Sequence, residues 1–282
     1  MEPLIDSHCH LDAPEFDPDR GQVLAHARLA GLEGIVVPAY VAARWPGLLA
    51  LCRAHVRADA HSPRLWPALG LHPVHLRAHR DAADLDALAA LLDVSPDVVA
   101  VGEIGLDRFL PELVTEAAWA RQLALFEAQL ELARQRDLPV ILHARRCHAD
   151  IRACIRRVGH RSGGILHAFS GSVEEARQYV AMGLRLGLGG PLTYPQSARL
   201  RAVASALPLD AFVIETDAPD LVPHPFRDRH GDGRARQPGE RVRNSPAYLP
   251  SVLDCFAEIR PEPRALLAEA FRRNTVAALR LG

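Results

Sequence analysis

With 282 residues, 49% of them hydrophobic, and a formal net charge of -1, the chain can bury a large core and is not a polycation built to coat nucleic acid. Its five cysteines contain no CxxC pair, which argues against a disulfide framework or a structural zinc cluster and favours the reducing cytoplasm. All 33 basic residues are arginine, which excludes mechanisms that need a lysine: a Schiff base, a P-loop, or a carbamylated lysine that bridges two metal ions.

Short apolar segments alternate along the chain with segments whose apolar residues recur every three or four positions, such as 116–137. Strands are predicted near residues 3–7, 34–39, 65–71, 98–103, 139–143, 164–168, 184–188 and 211–216. Eight strands that alternate with helices favour an α/β fold of the (β/α)₈ TIM barrel type over an open doubly wound sheet. We therefore predict one barrel domain over residues 1–282, without a signal peptide or a membrane span.

Side chains that bind metals stand at or just after the ends of five predicted strands. They are His8 and His10, Glu103, His143, His167 and Asp217. Alternate residues of a strand share a face, so His8 and His10 present their two imidazoles together. In a barrel the carboxyl ends of all strands meet at one face, and the six side chains are therefore expected to surround one pocket.

Such a set of residues suits two divalent ions. Glu103 is the natural bridging carboxylate, because the chain has no lysine to take that role. The remaining ligands divide into His8, His10 and Asp217 for one ion and His143 and His167 for the other. Mixed imidazole and carboxylate ligation is compatible with zinc, manganese or magnesium and does not choose among them. Two ions lower the pKa of a bridging water, and Asp217 is the candidate catalytic base that accepts its proton, with Glu103 as its catalytic partner.

Other residues are candidates to contact the substrate. Arg145 lies two residues beyond His143, and His72 follows the third predicted strand. Residues 224–243 contain six arginines and form either a phosphate-binding rim or a solvated surface loop. Glu215 either supports the metal ligands or forms a structural salt bridge.

Seven segments resemble the TatD family of metal-dependent hydrolases, within the wider amidohydrolase-like barrels. They are DSHCHLD at 6–12, GLHP at 70–73, GEIGLD at 102–107, LHAR at 142–145, HAFSG at 167–171, ETDAP at 215–219 and RNSP at 243–246. The segments stand in order and span nearly the whole chain. The resemblance implies a (β/α)₈ barrel, a binuclear metal site at the six residues above, and metal-dependent DNase activity that is often exonucleolytic.

The chain departs from the family where substrate would be recognised. Family members commonly carry an aromatic residue after TDAP and a glutamate within RNEP, whereas this chain has Asp220 and Ser245. Asn244 and Ser245 precede Pro246 and are expected to cap the helix that follows. These departures affect the identity of the substrate rather than the metal site.

Three functions are compatible with these residues. We predict a metal-dependent hydrolase, a deoxyribonuclease whose metal-activated water cleaves DNA or another phosphodiester substrate. The alternative is hydrolysis of a carboxylic ester, amide or acyl-RNA bond by the same two-metal site. A metal-stabilised barrel that serves as a binding or assembly protein is a third possibility, but the complete set of six ligands argues against it. Neither a membrane nor an obligate protein partner is expected.

Overall fold

The computed structural model describes residues 2–57, 59, 61–228 and 241–282. Its strands are β1 (Leu4–Asp6), β2 (Leu32–Pro38), β3 (Arg64–Leu69), β4 (Ala100–Asp107), β5 (Val140–Arg145), β6 (Gly164–Leu166), β7 (Leu184–Leu188) and β8 (Phe212–Ile214). Its α-helices are α1 (Arg20–Leu29), α2 (Trp45–Ala54), α3 (Asp81–Val94), α4 (Glu116–Gln135), α5 (His148–Val158), α6 (Val173–Ala181), α7 (Ala198–Ala206), α8 (Leu249–Ile259) and α9 (Arg264–Leu279).

The strands pair in parallel in the order β1 to β8, with helices between them. The first and last strands are joined just past their ends: the Ser7 N–H donates to the Ile214 carbonyl oxygen at 3.1 Å, and the Asp217 N–H donates to that of His8 at 2.8 Å. The predicted (β/α)₈ barrel is therefore confirmed. These joining hydrogen bonds lie in the same segments as the predicted ligands His8 and Asp217.

Two strands are longer than the apolar pattern predicts. β4 continues four residues past Glu103, and β5 continues to Arg145, so Glu103 and His143 lie within strands rather than at their ends. The extension is paired, because Gly105 is in register with His143 and Asp107 with Arg145. In β4 the apolar run is interrupted by Glu103, but buried apolar residues, Ile104 and Leu106, follow it and the strand continues to Asp107.

Alternate strand residues fill the amino-terminal half of the barrel interior. This apolar cluster, the lower barrel core, includes Ile5, Val36, Trp66, Ala68, Ala100, Ile141, Ile165 and Val213, with Leu279 and Leu281 from the end of the chain. Trp66 packs so closely on β2 that a side-chain carbon added at Gly34 would lie 2.0 Å from its ring. The outward-facing strand residues pack against the helices in a second, larger core.

Local signals define several helix ends. The Thr115 side chain accepts a hydrogen bond from the Ala118 N–H at 3.3 Å, which starts the helix predicted in 116–137 at Glu116. Ser172 and Glu175 form a reciprocal capping box at the start of α6. α5 ends at Gly159, whose φ of 73° is left-handed and suits glycine.

All five cysteines are buried and free, as their sequence contexts predict. Among the described residues, no helix combines the length and the apolar character needed to cross a bilayer. That residues 1–282 form a single domain is our proposal, based on the one sheet that contains strands from both ends of the chain.

Candidate metal centre

The six predicted ligands meet directly above the lower barrel core, around the buried side chain of Glu103. Glu103 Oε2 lies 3.1 Å from His8 Nε2 and 3.4 Å from His10 Nε2. Its other oxygen, Oε1, lies 3.0 Å from His143 Nδ1 and 3.2 Å from His167 Nε2. One carboxylate thus faces two different pairs of imidazoles; its bridging of two ions stays a prediction.

Asp217 belongs to one side of this arrangement. Its Oδ1 lies 3.6 Å from His8 Nε2 and 3.5 Å from His10 Nε2, and these three residues are close enough to share one ion. His8 also approaches the other side, because its ring stacks on that of His167 with 3.8 Å between the centroids. The two halves of the centre are therefore adjacent.

The donors present fit divalent cations. Imidazole nitrogens and carboxylate oxygens are the ligands that zinc and manganese accept. In addition, Glu103 Oε2, His8 Nδ1 and His167 Nδ1 are buried and make no hydrogen bond with the described residues. A buried carboxylate oxygen without a hydrogen bond is costly. A cation between Glu103 Oε2 and the imidazoles would remove that cost.

Charge in the centre is strongly coupled. Burial alone would raise the pKa of Glu103, but the imidazoles of His72, His167 and His8 hold it well below its usual range. Burial alone would lower the pKa of His10, whereas the Asp217 and Glu103 carboxylates raise it to about 10. Positive charge is therefore favoured at this point, and metal binding there would have to displace protons from histidine.

Asp107 is a site residue that the sequence reasoning missed. Its Oδ2 lies 3.0 Å from His143 Nε2, the ring nitrogen that faces away from Glu103. Its Oδ1 accepts hydrogen bonds from the Phe109 N–H at 2.7 Å and the Leu110 N–H at 3.3 Å. A carboxylate in this position fixes the tautomer and orientation of a metal-binding histidine. Continuing the two-residue alternation from Glu103 along GEIGLD would have found Asp107.

Glu215 faces His167 through a longer, ionic contact. Glu215 Oε1 lies 3.4 Å from His167 Nδ1 and accepts a hydrogen bond from the Ala168 N–H at 2.5 Å. Within the described part of the chain, its ionic partner is His167 and not an arginine. The space for this carboxylate is provided by Gly187, where an added side-chain carbon would lie 2.1 Å from Glu215 Oε2. Of the two roles that the sequence left open, the geometry favours support of a ligand.

Asp6 holds the segment that carries His8. It is fully buried and accepts hydrogen bonds from the Thr216 N–H at 2.9 Å, the Thr216 hydroxyl at 2.5 Å and the His8 N–H at 3.2 Å. Burial raises the pKa of Asp6 to about 8. The residue therefore fastens β1 to the segment after β8 beneath the metal centre.

His72 is also part of the centre. Its Nδ1 accepts a hydrogen bond from the Val74 N–H at 3.0 Å, so the proton of the neutral ring is on Nε2, which donates to Glu103 Oε1 at 2.9 Å. Burial lowers the pKa of His72 to about 4. His72 is thus in contact with the central carboxylate. The sequence predicted that His72 contacts substrate and did not predict this contact with Glu103.

A cavity of about 510 Å³ opens from the centre toward the carboxyl face. Its lining includes the predicted metal ligands His10, Glu103, His143, His167 and Asp217 and both predicted substrate residues, His72 and Arg145. An apolar part of the lining, the apolar wall, consists of Leu188, Pro191, Leu200 and Leu221. Arg145 is exposed, with its guanidinium carbon 3.5 Å from the centre of the Phe109 ring.

The predicted arginine-rich loop is described only in part, since residues 229–240 lie outside the described residues. Arg241 pairs with Asp220 at the cavity, and Arg243 pairs with Asp19 at 2.6 Å. Ser245 caps the 3₁₀ helix Pro246–Tyr248, as predicted. The capping prediction is wrong for Asn244.

Asn244 instead stabilises the segment that follows β8. Its side-chain amide donates to the carbonyl oxygens of Thr216 at 2.8 Å and Asp220 at 2.6 Å. A planar amide with two donors can join two carbonyls in this way. A sequence pattern that places a polar residue before proline does not distinguish this role from helix capping.

Comparisons with known proteins agree with this geometry. The chain matches the family model of TatD related DNase over residues 5–280. The uncharacterized metal-dependent hydrolase YjjV of Escherichia coli (strain K12) is 39% identical over 273 residues, which cover 96% of each chain. The crystal structure of that TatD homologue superposes with a TM-score of 0.86 at 37% identity and covers 99% of this chain and 98% of the other.

A second relative has a named activity. The 3'-5' ssDNA/RNA exonuclease TatD of Rahnella sp. (strain Y9602) is 34% identical over 265 residues, which cover 92% of each chain. The barrel and the cluster of histidines and carboxylates define a metal-dependent hydrolase. Within that class, the chain belongs to the family of TatD-related DNases.

Proposed function

We propose that the protein is a deoxyribonuclease, a phosphodiesterase that hydrolyses DNA or another phosphodiester substrate with two divalent ions. The observation that carries the proposal is Glu103, whose two oxygens face two separate sets of imidazoles. We assign His8, His10 and Asp217 to one ion and His143 and His167 to the other, with Glu103 shared. Zinc, manganese and magnesium are candidates; when bound, the ions would activate a water molecule and stabilise negative charge on phosphate.

The protein's own residues contact the phosphate, orient the histidines and accept a proton. Asp217 lines the cavity, and the imidazoles of His167 and His10 outweigh its burial and lower its pKa, so it is ionised; we assign to it the role of accepting a proton from the attacking water. Asp107 and Glu215 hold His143 and His167 in position. Arg145 provides positive charge on the cavity wall, where it can contact a phosphate.

Two further observations support this choice of substrate. The Rahnella relative is named a single-stranded DNA and RNA exonuclease. The cavity lies at the mouth of a barrel that the lower barrel core fills, so it admits the end of a strand more readily than the middle of a duplex. We also propose a cytoplasmic location, which free cysteines favour, and action without a membrane or an obligate protein partner.

The test uses metal-stripped protein and end-labelled single-stranded and duplex DNA, with magnesium, manganese or zinc restored separately. Wild-type protein is expected to release nucleotides in the presence of metal, and Asp217→Ala is expected to lower the rate by about 100-fold or more while the protein stays folded. Asp210→Ala is the matched control, because Asp210 is an exposed acid at the opposite end of β8. Undiminished hydrolysis by Asp217→Ala would exclude the proposed role of Asp217 as the base.

The apolar wall of the cavity favours a second candidate, hydrolysis of a carboxylic ester, amide or acyl-RNA bond. Leu188, Pro191, Leu200 and Leu221 provide a surface suited to an acyl group. The products separate the two candidates: released nucleotide supports the phosphodiesterase, whereas released acid or amine supports the acyl hydrolase. Absence of DNA cleavage with every metal, in protein shown by elemental analysis to hold two ions, would favour the second candidate.

A further inference from the structure

A group of arginines and aromatic rings lies beside the cavity at the carboxyl ends of β4 and β5. Arg145 and Arg146 both pack on Phe109, with guanidinium carbons 3.5 and 4.8 Å from the ring centre. Arg108 packs on Trp119 at 4.0 Å. We call these five residues the arginine rim. It is continuous with the candidate metal centre, because Arg145 also lines the cavity.

The rim carries more positive charge than its surroundings neutralise. No described residue forms an ion pair or hydrogen bond with the guanidinium of Arg145 or Arg146, and both side chains are exposed. Among the described residues, the acidic group that pairs with Arg108 is Asp150, at 3.7 Å. Some other described arginines do make short ion pairs, such as Arg121 with Asp81 at 2.7 Å. An anion is therefore the ligand that the rim is suited to bind.

The geometry is that of a prepared phosphate site. A guanidinium that stacks on a ring uses its face, and its N–H donors at the edge stay available for phosphate oxygens. Phe109 is 42% exposed, and a nucleobase can stack on it. Its backbone is fixed by the hydrogen bond to Asp107, which also contacts His143. The rim and the metal centre are thus held by the same carboxylate.

We propose that the arginine rim binds single-stranded nucleic acid next to the bond held in the cavity. Arg108 and Arg146 contact the flanking phosphates, and Phe109 stacks against a base. A single strand is required, because base pairing would prevent a base from reaching Phe109. The inference rests on the proposed function and extends it from the reacting bond to the neighbouring nucleotides.

Binding of a fluorescent, phosphorothioate-linked oligothymidylate of twelve nucleotides to metal-loaded protein tests the rim, since such a strand resists hydrolysis. Arg146→Gln is expected to weaken binding about fivefold, and Arg108→Gln with Arg146→Gln about 25-fold. The slope of log affinity against log salt concentration is expected to fall by about 0.7 for each phosphate that the variant no longer neutralises. Arg161→Gln, an exposed arginine at the opposite end of the barrel, is the control and is expected to match wild type.

The outcomes separate this inference from the proposed function. The proposal that the arginine rim binds nucleic acid would be overturned if wild type and both rim variants had equal affinity and equal salt slope, with thermal unfolding unchanged. If nucleotide release is observed alongside that result, the proposed function stands and the rim alone fails. If instead the rim variants lose affinity but no metal supports nucleotide release, binding by the arginine rim is supported and the proposed function fails.

Discussion

The two halves of the barrel interior are formed by the same strands but have opposite chemistry. In β5, Ile141 belongs to the apolar lower barrel core, and His143, two residues later, contacts Glu103. The same change occurs from Ile165 to His167 just past β6. A step of two residues keeps a side chain on the same face and moves it up the barrel. The amino-terminal half of the interior therefore provides stability and the carboxyl-terminal half provides the chemistry. Substitutions in one half should change the free energy of unfolding, and substitutions in the other should change hydrolysis.

The largest expected effect is in the upper half. His143→Ala removes a nitrogen that lies 3.0 Å from Glu103 Oε1, and we expect metal content to fall from two ions per chain to one. Loss of a ligand should reduce hydrolysis by more than the roughly 100-fold that outer contacts of metal ligands typically cost. Elemental analysis and rate measurements on the same preparation test this. Two ions and an unchanged rate would show that His143 is not a ligand.

A substitution at Ile141, two residues before His143, should affect stability rather than activity. Ile141→Ala leaves a cavity in the lower barrel core and is expected to lower the free energy of unfolding by about 2–5 kcal/mol, while the protein keeps its two ions and its activity. Ile141→Val, as a milder change at the same position, should cost about 0.5–1.5 kcal/mol. Urea unfolding gives the energies. Loss of metal without loss of stability would contradict the separation of the two halves.

How far the sequence predicts each half depends on the kind of contact involved. The period of two places His8 with His10, and apolar runs locate eight strands whose ends must meet, so the gathering of the six candidate ligands in one place was predictable from local pattern. The contact of His72 with Glu103 was not predictable, because it depends on how β3 and β4 pack. The length of β4 was missed for a different reason: Glu103 interrupts the apolar run, although the buried Ile104 and Leu106 continue it and the strand pairs with β5 as far as Asp107.

A smaller effect should follow from changing Asp107, which orients the candidate ligand His143. In Asp107→Asn, the amide oxygen is expected to accept from the Phe109 N–H as Asp107 Oδ1 does, which turns the amide NH₂ toward His143 Nε2. Nε2 would then become the acceptor, and the ring proton would move to Nδ1, where it competes with metal. Metal affinity should fall by about 10–100-fold.

Competition with a chelator measures that affinity. Asp97→Asn is the matched control, because Asp97 pairs with Arg53 outside the metal centre, at 2.8 Å. Equal metal affinity in Asp107→Asn and wild type would show that Asp107 does not orient His143. Reduced affinity in both variants would point to a general effect of removing negative charge.

The smallest expected effect is a pH dependence of stability that arises at the amino end of the barrel. His160, before β6, donates from Nε2 to the Gly163 carbonyl oxygen at 3.1 Å, and burial lowers its pKa. A histidine with a lower pKa in the folded protein binds fewer protons there than in the unfolded chain. Its contribution to stability is therefore lost as the pH falls below about 6.5.

His160→Gln isolates this contribution, because the titrating histidines of the metal centre are common to both proteins. Between pH 7.5 and pH 5.5, the free energy of unfolding of wild type should fall further than that of the variant, with hydrolysis equally active in both at pH 7.5. Identical slopes would mean that His160 is not protonated more readily on unfolding. A change in hydrolysis would couple the amino end to the metal centre, against the separation that Ile141 and His143 suggest.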